Sequence, residues 1–148
     1  LHDSTPHPEF WADAGRVYLL TWQLERAEAA FQTARTLGLP QADFENNLGV
    51  VRMNQQKYKA AERLFRSALA QDPNNAPAWV NRGHIARYRG RFRQAMAFYR
   101  LAIMADPTFA PAWSYLKNLC DRKCEPQDIR ELELFRTDIH GGGSLHAS

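Results

Sequence analysis

Large apolar, small and polar side chains recur along this chain on a long period. Tryptophan stands at Trp11, Trp79 and Trp113, and glycine at Gly15, Gly49 and Gly83. Alanine stands at Ala27, Ala61 and Ala95, and again at Ala34, Ala68 and Ala102. Phe31, Phe65 and Tyr99 share one column, and Leu24, Tyr58 and Phe92 another. The tetrapeptide Ala76-Pro77-Ala78-Trp79 returns as Ala110-Pro111-Ala112-Trp113, an offset of 34 residues. Asp72-Pro73 returns as Asp106-Pro107 at the same offset. Self-similarity at a fixed period is the mark of stacked repeats. The frame gives units at 8–41, 42–75 and 76–109, and a partial unit at 110–125. It predicts helices near 8–21, 24–37, 42–55, 57–70, 76–89, 91–104 and 110–122. Pro126 starts a last helix near 126–139, with Ile129, Leu132, Phe135 and Ile139 on one face and Glu131, Glu133 and Asp138 on wetter sides. A closing helix with a polar outer face is what an open-ended stack requires.

The columns have a direct physical reading. Glycine on the first helix of each pair and alanine on the second let two backbones approach closely. The aromatic column fills the remaining space, so large and small residues interlock. A proline just past the second helix stops it: Pro73, Pro107, and in the first unit Leu39-Pro40. This period and these columns resemble the tetratricopeptide-repeat (TPR) family. The resemblance spans most of the chain and implies an all-α fold, a right-handed α-solenoid of stacked antiparallel helix pairs with a concave groove. The TPR domain is expected over 8–140, with a tail at 1–7 and a flexible linker or vector-derived tail at 141–148.

Three residues depart from the pattern. Glu45 stands where an aromatic belongs, and Arg82 stands in the column of Leu48 and Leu116. Local looseness or a satisfied ion pair would accommodate both. Lys117 takes the small-residue position of the fourth unit, which predicts an incomplete repeat with a re-angled second helix.

In this family the first helix of each pair lines the concave face. That implies a groove built from Asn47, Asn81, Asn46, Arg16, His84, Arg87, Tyr88, Tyr115, Asn54 and Asn118. Asn47 and Asn81 lie one repeat apart, and an amide offers both donor and acceptor. Stacked asparagines would therefore hold the backbone of an extended peptide whatever its side chains. Chaperone-binding members clamp a C-terminal carboxylate with lysines, asparagines and an arginine. Here Ala12 and Arg16 occupy the first lysine and asparagine positions, Asn47 matches, and Pro77 and Asn81 replace the final basic pair. Binding of a heat-shock-protein tail is therefore not expected.

Composition narrows the classes. The chain is 45% hydrophobic and 24% charged, ordinary for a folded domain. No apolar run reaches bilayer length and no signal-type segment opens the chain, so membrane insertion is not expected and the compartment, cytoplasmic or periplasmic, stays open. The net charge of +3 is too small to imply nucleic acid. Six arginines fall between Pro73 and Ala105 with no acid among them: Arg82, Arg87, Arg89, Arg91, Arg93 and Arg100. Of these only Arg87 points clearly into the groove; the rest read as a solvated convex face. Tyr88 and Tyr115 near Arg87 make a thin case for RNA. The two cysteines, Cys120 and Cys124, form neither a disulfide framework nor a four-ligand metal site, and Cys120 reads as core. No catalytic constellation, phosphate loop or cofactor motif is present, so the expectation is a non-catalytic scaffold with a protein or peptide partner and no cofactor. The arginine-rich, lysine-poor composition has a bacterial look and suits a secretion, pilus or envelope assembly. The competing readings are a substrate-recruiting segment of a larger glycosyl- or sulfotransferase and a module that self-associates through its exposed repeat ends.

Overall fold

The computed structural model describes residues 7–145, with side chains to 140. Eight helices lie among these residues: α1 (Pro8–Leu20), α2 (Leu24–Thr36), α3 (Gln41–Asn54), α4 (Tyr58–Gln71), α5 (Ala76–Tyr88), α6 (Phe92–Ala105), α7 (Ala110–Lys123) and α8 (Pro126–Leu145). No strand occurs among the described residues. The architecture is the all-α solenoid that the columns predict. Three hairpins, α1/α2, α3/α4 and α5/α6, stack in order, and α7 packs on α6.

Each hairpin turns the same way. Trp22, Gln56 and Gly90, one repeat apart, adopt left-handed backbone with φ of 60°, 62° and 75°. The next amide then reaches back over the turn: Gln23 to the Tyr18 carbonyl, Lys57 to Arg52 and Arg91 to Ala86, at 2.8–2.9 Å. These are Schellman closures, which use carbonyls that a helix end otherwise orphans. The links between units differ. After α4 and α6, Asp72 and Asp106 leave the helix in extended backbone, and their carboxylates accept from the amides of Asn74 and Thr108 at 3.1 and 3.0 Å. After α2 the turn is made by Gly38 at φ 111°.

Packing within each hairpin repeats residue by residue. A Cβ placed on Gly15, Gly49 or Gly83 would fall within 3 Å of the ring of Phe31, Phe65 or Tyr99 respectively. These rings are fully buried, as are Ala27, Ala61, Ala95, Ala34, Ala68 and Ala102. Close backbone approach is therefore what the glycine column provides.

Two of the departures, Arg82 and Glu45, resolve into satisfied polar contacts, while Lys117 is exposed. Arg82 is held by Glu62 of α4 at 3.0 Å and lies over the rings of Phe98 and Trp79. The equivalent Glu28 accepts from both terminal guanidinium nitrogens of Arg52, at 2.6 and 3.1 Å. That hydrogen bond is the main reason the Glu28 carboxyl lies below its usual range. In the third unit the column changes to Met96, whose sulfur sits 3.5 Å from Cys124. Glu45 meets amides rather than a cation, accepting from Gln41 and Gln71.

The C-terminal part departs further. α8 begins at Pro126, in register with Leu24, Tyr58 and Phe92, but lacks the small–aromatic–small pattern of α2, α4 and α6. Leu132, Phe135 and Ile139 pack on the core as predicted, whereas Ile129 is 45% exposed. Asp128 is buried; it accepts from the Glu125 amide at 2.9 Å and faces Arg93 at 3.7 Å. It caps its own helix by reaching back to the residue before it. Trp79 donates its indole N–H to the Pro73 carbonyl at 3.0 Å, while that of the equivalent Trp113 has no partner among the described residues. Trp113 instead meets Phe135 and His140 of α8. Two expectations are corrected here. Cys120 is buried, but it is joined to Cys124 in a disulfide across one helical turn. α8 runs on through Gly141–Gly143 to Leu145, where a flexible tail was expected; 146–148, like 1–6, lie outside the described residues.

Candidate functional site

The first helices α1, α3 and α5 bring part of the expected set, Arg16, Asn46 and Asn47, to one surface. Ala12, Arg16 and Leu19 of α1, Asp43, Asn46, Asn47 and Val50 of α3, and Asn75 and Pro77 at the start of α5 line a hollow of about 500 Å³. Asn46 and Asn47 are buried in its floor. Asn81 donates its amide to the Asn46 carbonyl oxygen at 2.9 Å. The inter-repeat amide pair is thus Asn81 with Asn46, rather than with Asn47. Asn47 makes no side-chain hydrogen bond among the described residues and presents its amide beside that pair. Helical geometry explains the shift: neighbours in sequence differ by 100° around the axis, and the stagger between α3 and α5 selects the earlier one.

A second hollow, of about 530 Å³, lies between the ends of α5 and α7. Arg87, Phe92, Tyr115, Asn118, Asp121, Arg122 and Lys123 line it. The guanidinium of Arg87 lies over Tyr88 at 5.2 Å, and the Lys123 ammonium over Phe92 at 4.7 Å. Tyr88 is exposed and also meets Tyr58.

His84 is a correction. It is a core residue rather than a groove contact: buried, 2.8 Å from the Tyr99 hydroxyl, and edge-on to Tyr115 at 4.3 Å between ring centres. Burial, then the nearby Arg87, pushes its pKa down to about 4, so the ring is neutral at neutral pH. Burial likewise pushes Tyr99 up to about 12. Tyr99 and His84 answer each other, since the hydroxyl that distinguishes Tyr99 from Phe31 and Phe65 is satisfied by the imidazole. Arg16 is exposed and paired with Asp13. Asn54, half-buried in the last turn of α3, lines neither hollow and makes no side-chain hydrogen bond among the described residues.

Sequence reasoning missed Glu9, Asp43, Asn75 and Phe109 in the first hollow and Phe92 and Lys123 in the second. Asn75 carried a signal: an asparagine ahead of Ala-Pro is an N-cap, and its side chain accepts from the Ala78 amide at 3.2 Å. Phe109, one repeat on, occupies the same position at the start of α7 and carried none. No group of three His, Cys, Asp or Glu residues that could hold a metal ion occurs among the described residues. No described helix is long and apolar enough to cross a membrane.

A stack of helical hairpins with an amide-lined concave face defines the class: an α-solenoid. The family model described as tetratricopeptide repeat matches residues 52–120. The Arabidopsis OM64 TPR domain is 22% identical with a TM-score of 0.60, over 78% of this chain and 96% of that one. The second TPR domain of human RPAP3, solved in complex with the HSP70 peptide SGPTIEEVD, is 21% identical with a TM-score of 0.57, over 78% and 99%. MamA is 17% identical with a TM-score of 0.60, over 95% and 81%. No curated protein matches. Residues 52–120 thus match the tetratricopeptide repeat, and the fold of the stack is that of TPR domains. TPR domains are in general non-catalytic protein-interaction modules.

Proposed function

We propose that the concave face binds an extended peptide or a partner helix of another polypeptide, as a non-catalytic scaffold. The observation that carries this reading is the Asn47 amide, set in the groove floor without a side-chain partner beside the Asn81–Asn46 pair. Its polar atoms are open to the hollow rather than sealed in the core, and a peptide backbone supplies both a donor and an acceptor for them. The peptide in the RPAP3 complex supports a groove ligand of this kind. The setting we favour is a bacterial multiprotein assembly, with a recruiting segment of a larger enzyme as the alternative. The Asn47→Ala, Asn81→Ala double variant tests the groove: partner binding measured by calorimetry should weaken at least about tenfold while helicity is kept. Unchanged affinity would remove the groove assignment.

A second reading, self-association, has its own observation. Phe10 and Val17 on α1 are each 58% exposed. Their equivalents one and two repeats on, Phe44 and Ala78, Val51 and Ile85, are almost fully buried beneath the preceding hairpin. The outer face of α1 thus carries interface residues with nothing on them among the described residues.

A further inference from the structure

The two hollows of the concave face carry opposite charge. The α1–α3 hollow holds Glu9 and Asp43 beside Arg16, whose own charge is already met by Asp13. The α5–α7 hollow holds Arg87, Arg122 and Lys123 against Asp121 alone. Other arginines of the domain are committed: Arg52 to Glu28, Arg82 to Glu62 and Arg93 to Asp128. Arg87, Arg122 and Lys123 have no carboxylate within ion-pair distance among the described residues. A cation in the last turn of a helix complements its dipole, which accounts for one at the end of α5 or of α7. It does not account for two helix ends turning their cations into one hollow, with Arg87 and Lys123 resting on aromatic rings. Titration behaviour carries the same signs. After burial, Asp72 and Glu9 help to raise Asp43 against the opposing pull of Arg16, while Arg87 helps to lower His84.

We propose that the hollow lined by Arg87, Arg122 and Lys123 is a carboxylate subsite for the acidic side chains of the extended segment bound in the groove. It rests on the groove reading above. Guanidinium groups hold carboxylates with strong charge-assisted hydrogen bonds, more so over apolar surface. The chaperone-type clamp positions Ala12, Arg16, Asn47 and Pro77 lie in the other hollow, where Glu9 and Asp43 repel an acid. Arg87 stands six residues beyond Asn81 on α5, roughly 9 Å along the axis. The two side chains also lie about 120° apart around the helix, so the segment carries its acids at least about three positions from the stretch held by the asparagines.

Fluorescence anisotropy with three labelled nine-residue probes on the full chain tests this: a Ser/Gly peptide, the same peptide with three aspartates at one end, and a uridine nonamer. The acidic peptide should bind at least about tenfold more tightly than the neutral one. That preference should collapse in the Arg87→Gln, Arg122→Gln variant and at about 0.5 M salt. Asp43→Asn should keep it. Equal binding of the two peptides, or a preference that survives the arginine changes, overturns the subsite while leaving the groove in place. If neither peptide binds, the groove reading itself fails and takes the subsite with it. Uridine binding as tight as that of the acidic peptide, and lost with the same arginines, reassigns the hollow to nucleic acid and overturns the proposal. The arginine positions are half-buried or exposed, and circular dichroism of the variant checks that the fold is kept.

Discussion

At the scale of the residue, polar side chains inside the stack stay where their partners are. His84 is 8% exposed, bonded to Tyr99, and has its pKa lowered to about 4. Its folded value lies below the unfolded value of about 6.5. The unfolded chain therefore binds the proton more readily between those two values. The stability contributed by the neutral ring is fully present above pH 6.5 and is lost as pH falls toward 4, up to about 3 kcal/mol. Urea unfolding at pH 7 and pH 4.5 should show this loss, and His84→Phe should shrink it. A pH response identical in the two proteins would show that His84 is not its source. His84 was expected in the groove because the residue column was right and the side-chain direction was not visible. Only the approach of Tyr99 and Tyr115 draws the ring inward.

At the scale of the element, each hairpin is one glycine against one ring. Gly49→Ala removes the helix-interior cost of glycine, worth about 1 kcal/mol. It also drives a methyl into the fully buried Phe65, and overpacking of this kind costs about 1–3 kcal/mol. With the methyl within 3 Å of the Phe65 ring the second effect should win, leaving a net loss of up to about 2 kcal/mol in thermal or denaturant unfolding. A stabilised variant would show that the ring moves aside easily. The seven helices of the repeat frame were legible in the sequence to within a residue because glycine, alanine and aromatic columns recur at one offset. α8 was legible at its start, through Pro126, and in the packing of Leu132, Phe135 and Ile139, but not in the exposure of Ile129. Without the small–aromatic–small columns, its position depends on Trp113, Asp128 and the disulfide at the end of α7.

At the scale of the whole molecule, the stack has a charge-divided concave face and an apolar flank on α1. If that flank joins two copies, light scattering of the purified chain should give a mass above the 17.0 kDa of one chain. Val17→Glu should return it to a monomer without loss of helicity, since Val17 is 58% exposed. A wild-type monomer at every concentration would rule out pairing through α1.

The amino-acid sequence alone determined the period, the helices and which side of each helix turns inward. Those follow from side-chain size and proline position, which act within a few turns of the chain. It also named Arg16, Asn46, Asn47, Arg87, Tyr115 and Asn118, which line the two hollows. Tertiary structure decided how they combine: Asn81 with Asn46, His84 with Tyr99, Arg82 with Glu62, and unpaired cations gathered between α5 and α7. These choices depend on the stagger and rotation of helices brought together across repeats. Such contacts join residues 15 to 35 positions apart, as from His84 to Tyr99 and from Asn46 to Asn81, beyond the reach of any local pattern.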